Sequence, residues 1–347
     1  MVRQAWAVAA AGLLALTAAI APTPPTARPA GAQTAGFDAW LEGFRRQARQ
    51  AGISEATLGA ALTSLAPIPR VIELDRHQPE VVMTLARYVE RVVSDSRVET
   101  GRARLAEHRA LLERVGERYG VDPPFLVALW GVESNFGQTM GSYPVVAALA
   151  TLAWDGRRRD FFQRELLEAL RIIDAGHVRP EQMMGSWAGA MGQPQFMPSS
   201  FRRFAVDGDG DGRVDIWGSH EDILASAANY LARAGWKRGQ AWGREVSVPR
   251  GLDRGAIGPP RRWDEWEALG VRATGGEAPP PDGAVSLVQP DGPGTRAFAV
   301  SDNYRVLLRW NRSDLFAIAV GLLADRIDGR AGLPAAPAPG PPGRPTR

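Results

Sequence analysis

Asp122-Pro-Pro-Phe-Leu-Val-Ala-Leu-Trp-Gly-Val-Glu-Ser-Asn-Phe-Gly137 is the stretch whose reading decides the fold. Asp122 can accept from the free N–H groups of a helix start, and Pro123 stands where a missing N–H costs nothing. Phe125, Leu126, Val127, Leu129, Trp130 and Val132 make the helix apolar on nearly every side, which predicts a core helix. Gly137 is placed to end it. A single carboxylate, Glu133, interrupts the run. Leu126, Leu129 and Trp130 precede it on the same face, and Phe136 follows three residues on. Lost hydration disfavours a carboxylate and raises its pKa. A carboxyl still protonated near neutral pH is what a general acid offers to a glycosidic oxygen. The competing reading is a Glu whose head reaches solvent or meets an arginine.

A second informative stretch is Gly185-Ser-Trp-Ala-Gly-Ala-Met-Gly-Gln-Pro-Gln-Phe-Met-Pro-Ser-Ser200. Its small residues let a backbone or a ligand come close. Ser186, Gln193 and Gln195 bring hydroxyl and amide groups suited to sugar hydroxyls and acetamides, and Trp187 and Phe196 offer apolar faces to sugar rings. The same composition also suits a tight helix-packing corner.

The third is Asp207-Gly-Asp-Gly-Asp-Gly-Arg-Val-Asp215. Asp207, Asp209 and Asp211 take loop positions 1, 3 and 5 of the EF-hand pattern, Gly212 takes 6, and Arg213 supplies a backbone carbonyl at 7. Hard oxygen ligands at alternate positions wrap a calcium ion while glycine permits the sharp turn. Position 12 calls for Glu and holds Gly218, and Asp215 is at most a ligand through water.

Composition narrows the alternatives. The 347 residues are 45% hydrophobic, enough for one large or two ordinary domains. Net charge is +3, which suits an anionic polymer as partner, and no Lys/Arg block interleaved with aromatics argues for nucleic acid. The absence of cysteine excludes disulfides, thiolate metal sites, a Cys nucleophile and a lipid-modified N-terminal cysteine. His77, His108, His177 and His220 show no metal-ligand spacing and are expected at the surface or as caps. The Trp residues at 40, 130, 154 and 217 are expected in the core. Arg157-Arg-Arg159 reads as a solvated helix start, with peptide carboxylates as the alternative partner.

Residues 1–32 read as a secretory signal: Arg3, an apolar run from Ala5 to Ala21, and Ala30-Gly31-Ala32 as a cleavage candidate. No later segment is long and apolar enough to span a membrane. Helical periodicity runs from Phe37 to Ala61, with a second helix starting near Ser54, and Pro67 to His77 reads as extended. A helical region is expected from Pro79 to Tyr119, broken near Thr100-Gly101. Helices follow at Val145–Trp154, Arg159–Ile173, after Pro198, at His220–Gly235 and at Ser313–Ile327. Strands are expected at Glu245–Val248, Ala284–Gln289 and Ala297–Leu308, and the Pro-rich tail from 329 to 347 as disordered.

These stretches together resemble the lytic murein transglycosylases of the MltB type, which cleave peptidoglycan. The resemblance is carried by Gly131-Val-Glu-Ser-Asn-Phe-Gly137, Ala148-Leu-Ala-Thr-Leu-Ala153, Gly185-Ser-Trp-Ala-Gly-Ala-Met-Gly192, Gln195-Phe-Met-Pro-Ser-Ser200 and Trp310-Asn-Arg-Ser313, in this order. It implies an α+β, mainly α-helical fold: a helical region at 33–120, a lysozyme-like catalytic core at 121–244, and a β-containing segment at 245–328 that completes the core. It implies Glu133 as catalytic acid, Ser186, Gln195 and Asn311 as substrate contacts, and Glu221 as the carboxylate closing a calcium loop at 207–221. Two positions depart from the family, Trp310 and Phe316, where tyrosine is usual.

The resemblance also implies peptidoglycan glycan strands as partner. The signal segment and the missing cysteine predict a periplasmic protein that is not a lipoprotein, expected as a monomer, and the aspartate loop predicts a structural calcium ion. Ordinary glycoside hydrolysis uses two carboxylates, and no second one lies in the blocks closest to Glu133. A transglycosylase needs only one, because the muramyl C6 hydroxyl replaces water and leaves a 1,6-anhydromuramyl end. The alternatives are a hydrolytic muramidase and a catalytically silent peptidoglycan-binding protein.

Overall fold

In the computed structural model, residues 30–77, 83–252, 259–274, 278–279 and 283–329 are described. Seven helices come first: α1 (Ala30–Gln50), α2 (Glu55–Leu62), α3 (Pro69–Arg76), α4 (Leu85–Val92), α5 (Asp95–Glu107), α6 (Arg109–Tyr119) and α7 (Pro123–Ser134). The next part holds β1 (Tyr143–Pro144), α8 (Val145–Asp155), α9 (Arg159–Asp174), β2 (Met184–Gly185), α10 (Pro198–Phe204) and α11 (His220–Arg233). The last holds β3 (Gly243–Ser247), β4 (Arg261–Arg262), α12 (Trp263–Ala268), β5 (Arg272–Ala273), β6 (Ala284–Val288), β7 (Ala297–Val300), α13 (Asp302–Trp310) and α14 (Asp314–Ile327). The α+β, mainly helical expectation holds. No helix among the described residues is long and apolar enough to cross a membrane.

Three apolar clusters organise these elements. The first gathers Leu126 and Trp130 of α7, Leu224 of α11, Leu307 of α13 and Ile318 of α14. The second gathers Phe37 and Phe44 of α1, Leu149 of α8 and Leu166 of α9, with Trp187, Met191 and Phe196 from the glycine-rich stretch. The third lies under the sheet and centres on Trp263 and Trp266. That sheet is antiparallel, in the order β4-β6-β7-β3-β5. β1 and β2 pair separately, Tyr143 opposite Gly185.

Several expectations need correction. Pro67 to His77 is not extended throughout: Pro69 takes the first turn of α3, where its missing N–H is harmless. Gly101 does not break a helix but sits inside α5, and a Cβ there would come within 2.5 Å of Ile327. The glycine costs about 1 kcal/mol in helix propensity, and in return α5 approaches α14 closely. The actual breaks fall at Val93 and His108, the caps that end α4 and α5. The strand expected at 297–308 stops at Val300, because the Ser301 hydroxyl accepts from the Asn303 N–H and starts α13. Residues 1–29 of the expected signal and 330–347 of the expected tail lie outside the described residues, and Ala30 to Ala32 belong to α1.

Candidate active site

α7 owes its position to its apolar surround: nine of its twelve residues are buried, Phe125 to Gly131 without interruption, and Glu133 is among them. The helix ends one turn earlier than Gly137. Asn135 adopts a left-handed φ of 49°, and the Asn135 and Phe136 N–H groups fold back onto the carbonyls of Gly131 and Trp130. Phe136 is left-handed too, at 57°, a conformation that costs energy in a bulky residue. Its ring packs where a Cβ on Gly131 would be, 2.7 Å away. Asp122 does not cap the helix. Its carboxylate accepts instead from Trp236 Nε1 at 3.0 Å and Gly239 N at 3.1 Å.

Glu133 is 8% exposed. Burial pushes its carboxyl up to about 8, and the Trp310 N–H bond pulls against that rise. Trp310 Nε1 donates to Glu133 Oε1 at 2.6 Å across 177 residues of sequence. Oε2 is buried without a hydrogen-bond partner among the described residues. Neither solvent nor an arginine takes this carboxyl.

The glycine-rich stretch does bring backbones together: a Cβ on Gly141 would lie 2.1 Å from the Gly185 carbonyl oxygen. Ser186 is half-buried, and its hydroxyl accepts from Ala190 N at 3.0 Å. Gln195, at a left-handed φ of 51°, donates to the carbonyls of Met140 at 3.0 Å and Gly192 at 2.8 Å. Gln193 is not open to a sugar. Its amide accepts from Trp130 Nε1 at 2.5 Å and donates to the Trp217 carbonyl at 2.8 Å. Trp187 lies within the second core, 9% exposed.

Phe196 reaches the surroundings of α7 through Trp310, at 5.3 Å between ring centroids. Asn311 caps α13 directly after Trp310. Of the expected contacts, Phe196 and Asn311 therefore stand next to the Glu133–Trp310 pair, whereas Ser186 and Gln195 are tied into the loop.

Three residues escaped sequence reasoning. Tyr88 on α4 is pushed up to about 12, by burial first and by the Glu133 carboxylate second. The helix that carries it is held by Asp291, which accepts from the Leu85 N–H at 2.9 Å. Tyr230 packs 4.7 Å from Trp310 and 4.3 Å from Phe204, extending an aromatic line away from Glu133. Its hydroxyl donates to the Arg309 carbonyl at 2.7 Å. Trp310 was visible only as a departure from tyrosine. Neither tyrosine sits in a local motif, and the Trp310–Ser313 block gives no sign that its tryptophan meets Glu133.

The acidic loop gathers Asp207, Asp209 and Asp211, whose carboxylate oxygens lie within 4.8 Å of one another. Glu221 does not join that cluster. The neighbouring Asp222, 1% exposed, braces the loop by accepting from Gly208 N at 2.6 Å and Asp215 N at 2.5 Å. Asp215 accepts from Trp217 N and Gly218 N, both at 2.9 Å. The Arg213 N–H donates to Asp211. Three converging hard oxygen donors on a glycine-bearing loop fit a calcium ion.

Two other groups differ from expectation. His108 and His220 are not scattered: their rings lie 4.6 Å apart against Trp130. Arg157 and Arg158 do not face solvent alone, since both pair with the buried Asp75.

Comparison with known proteins decides the family. The sequence pattern described as a transglycosylase SLT domain matches residues 36–325. The chain belongs to the lytic transglycosylase family. It is 32% identical over 247 residues to membrane-bound lytic murein transglycosylase B of Escherichia coli, covering 70% of this chain and 66% of that protein. The chain thus spans just under two thirds of this curated relative. Among solved structures, SltB3 of Pseudomonas aeruginosa in complex with NAG-anhNAM-pentapeptide is 45% identical, with a TM-score of 0.81 over 84% of this chain and 80% of that one. The E. coli lytic transglycosylase Slt35 in complex with calcium is 26% identical, with a TM-score of 0.72 over 87% and 95%. The lysozyme-like fold of this transglycosylase family is therefore shared by the chain.

Proposed function

We propose that the protein is a lytic murein transglycosylase that cleaves the β-1,4 bond between N-acetylmuramic acid and N-acetylglucosamine and leaves 1,6-anhydromuramyl ends. The observation that carries this is Glu133: buried, protonated near neutral pH, and with one oxygen unpartnered. Glu133 donates its proton to the glycosidic oxygen as the bond from C1 breaks. The muramyl acetamide oxygen bonds to C1 and holds its developing charge. Glu133, now a carboxylate, takes the proton of the C6 hydroxyl, O6 displaces the acetamide from C1, and the acid is regenerated. No water enters the balance.

Among the described residues, burial and the Trp310 bond set the Glu133 ionisation, and no second carboxylate perturbs it. That supports one group serving as acid and then base, where hydrolysis would use two. Complex formation of SltB3 with an anhydromuramyl peptide supports the same product. Asn311 serves as a glycan contact on this reading, while Ser186 and Gln195, backed by the buried Phe196 and Trp187, shape the loop that the glycan crosses. Digestion of purified peptidoglycan, read by mass spectrometry, tests the proposal. Anhydromuramyl ends are expected, and reducing muramyl ends as the main product would show a hydrolytic muramidase.

The same proposal takes residues 1–32 as a secretory signal and places the mature, monomeric enzyme in the periplasm. Segment 245–328 returns α13 and α14 to the core that holds α7, which supports its role in completing a catalytic core at 121–244 beside the helical region at 33–120. Asp207, Asp209, Asp211 and the Arg213 carbonyl would hold a structural calcium ion, with Glu221 swinging in to close the site; the calcium complex of Slt35 and the gathered carboxylates support this.

A further inference from the structure

The two oxygens of Glu133 are not equivalent, and Trp310 separates them. Trp310 Nε1 lies 2.6 Å from Oε1, while Oε2 is buried without a partner among the described residues. An indole N–H donates and cannot accept. Oε1 therefore accepts in both states of the carboxyl, and because a carbonyl oxygen accepts better than a hydroxyl one, the bond favours the acid proton on Oε2. We propose that Trp310 is a positioning residue that assigns the acid proton to Glu133 Oε2, so that this oxygen alone meets the glycosidic oxygen and later the C6 hydroxyl.

A tyrosine hydroxyl in the same place could donate to Oε1 or accept a hydrogen bond from an acid proton there, leaving either oxygen free to carry it. The indole removes that alternative. Trp310 can act in this way because it is itself fixed. It ends α13, its ring packs against Phe196 and Tyr230, and Tyr230 donates to the carbonyl of the preceding Arg309. A group held by two rings and a backbone bond presents its N–H with little freedom to lose, which is what orientation of an acid requires.

The inference rests on Glu133 being the acid, and its test carries a readout that does not. A hydrogen bond to the ionised carboxyl favours ionisation, so deleting it raises the carboxyl pKa further. In Trp310→Phe, the 13C resonance of the Glu133 carboxyl is expected to titrate about one pH unit higher than in wild type. The basic limb of the kcat–pH profile is expected to move by the same amount. At the optimum, kcat should fall roughly tenfold or more while KM changes by less than about twofold. Replacing Trp310 by benzothienylalanine keeps the ring shape, deletes only the N–H, and covers the event that the Phe variant fails to fold. Trp310→Tyr, which restores a donor, should bring the limb back toward wild type.

An unmoved carboxyl titration in both N–H-deleted variants overturns the proposal. So does a loss confined to KM, which would make Trp310 a sugar platform only. Full activity in Glu133→Gln would instead remove the proposed function, while the carboxyl titration still decides what Trp310 does to Glu133.

Discussion

Glu133 on α7 and Glu165 on α9 are two buried glutamates, 8% and 4% exposed, and the protein treats them differently. Burial raises both. Glu165 has a partner for each oxygen: Oε2 accepts from Ser199 N at 2.9 Å and Oε1 from the Ser199 hydroxyl at 2.7 Å. It thereby satisfies a free N–H in the first turn of α10 and ties that helix to α9. Glu133 has one partner, and its second oxygen is left open. A carboxyl satisfied on both sides is a brace. One that is desolvated and half-satisfied stores a cost that a substrate oxygen can relieve.

The largest effect that could break this contrast is on turnover. Glu133→Gln should lower the rate of anhydromuramyl release by about a thousandfold or more, since no second group can carry the proton. Glu165→Gln should leave turnover per folded molecule within about twofold, because nothing in the proposed reaction uses it. Equal losses in the two variants, measured on the same peptidoglycan, would erase the distinction.

Stability against pH comes next. The folded Glu133 carboxyl titrates near 8 against an ordinary 4.5, so the folded state holds the proton more tightly. Below pH 4.5 both states carry it, and wild type and Glu133→Gln should differ little on this account. As pH climbs from there, the unfolded carboxyl ionises while the folded one does not. Wild type then loses about 1.36 kcal/mol per unit relative to Glu133→Gln, up to about 5 kcal/mol. Urea unfolding of both proteins across pH 4 to 9, a window set by these two pKa values, checks the slope; a constant gap would mean that Glu133 is not desolvated.

A smaller effect sharpens the other half of the comparison. Glu165→Ala should cost roughly 1–3 kcal/mol at pH 7, because it leaves the Ser199 N–H and hydroxyl without their acceptor. Guanidinium unfolding would measure it, and no loss would show that α10 does not depend on the brace.

An effect of similar size concerns carboxylates left open at the surface. Asp209 and Asp211 are exposed, where Glu133 is not. Calcium at a hundred times its dissociation constant should stabilise the protein by about 2.7 kcal/mol, raising the melting temperature by a few degrees. Asp209→Asn should weaken the response. A flat calcium titration of the wild type would leave the loop as a hydrogen-bonded turn.

Much of the fold was legible because its signals are local. The apolar run of α7, the pattern of α8 and the glycine-spaced aspartates each declare themselves within a few residues. What misled was local as well. The extended reading of Pro67 to His77 fails because Pro69 fits the first turn of α3, where its missing N–H has no partner to lose. Val306 and Leu307 looked like strand residues, although a serine cap at 301 had already opened a helix. Asp122 has the right type for a cap and is drawn off by Trp236 and Gly239, more than a hundred residues away.

The order of the amino acids determined by itself that a lone carboxyl lies in an apolar helix, that the chain is mainly helical, and that three aspartates share a turn. Periodicity and spacing suffice for that, since each depends on neighbours along the chain. Only the tertiary structure decided that Trp310 meets Glu133, that Tyr88 feels its charge, and that Gln193 is taken up by Trp130 and the Trp217 carbonyl. These pairings join separate helices and loops. Their partners are chosen by how the cores pack, and no local pattern carries that choice.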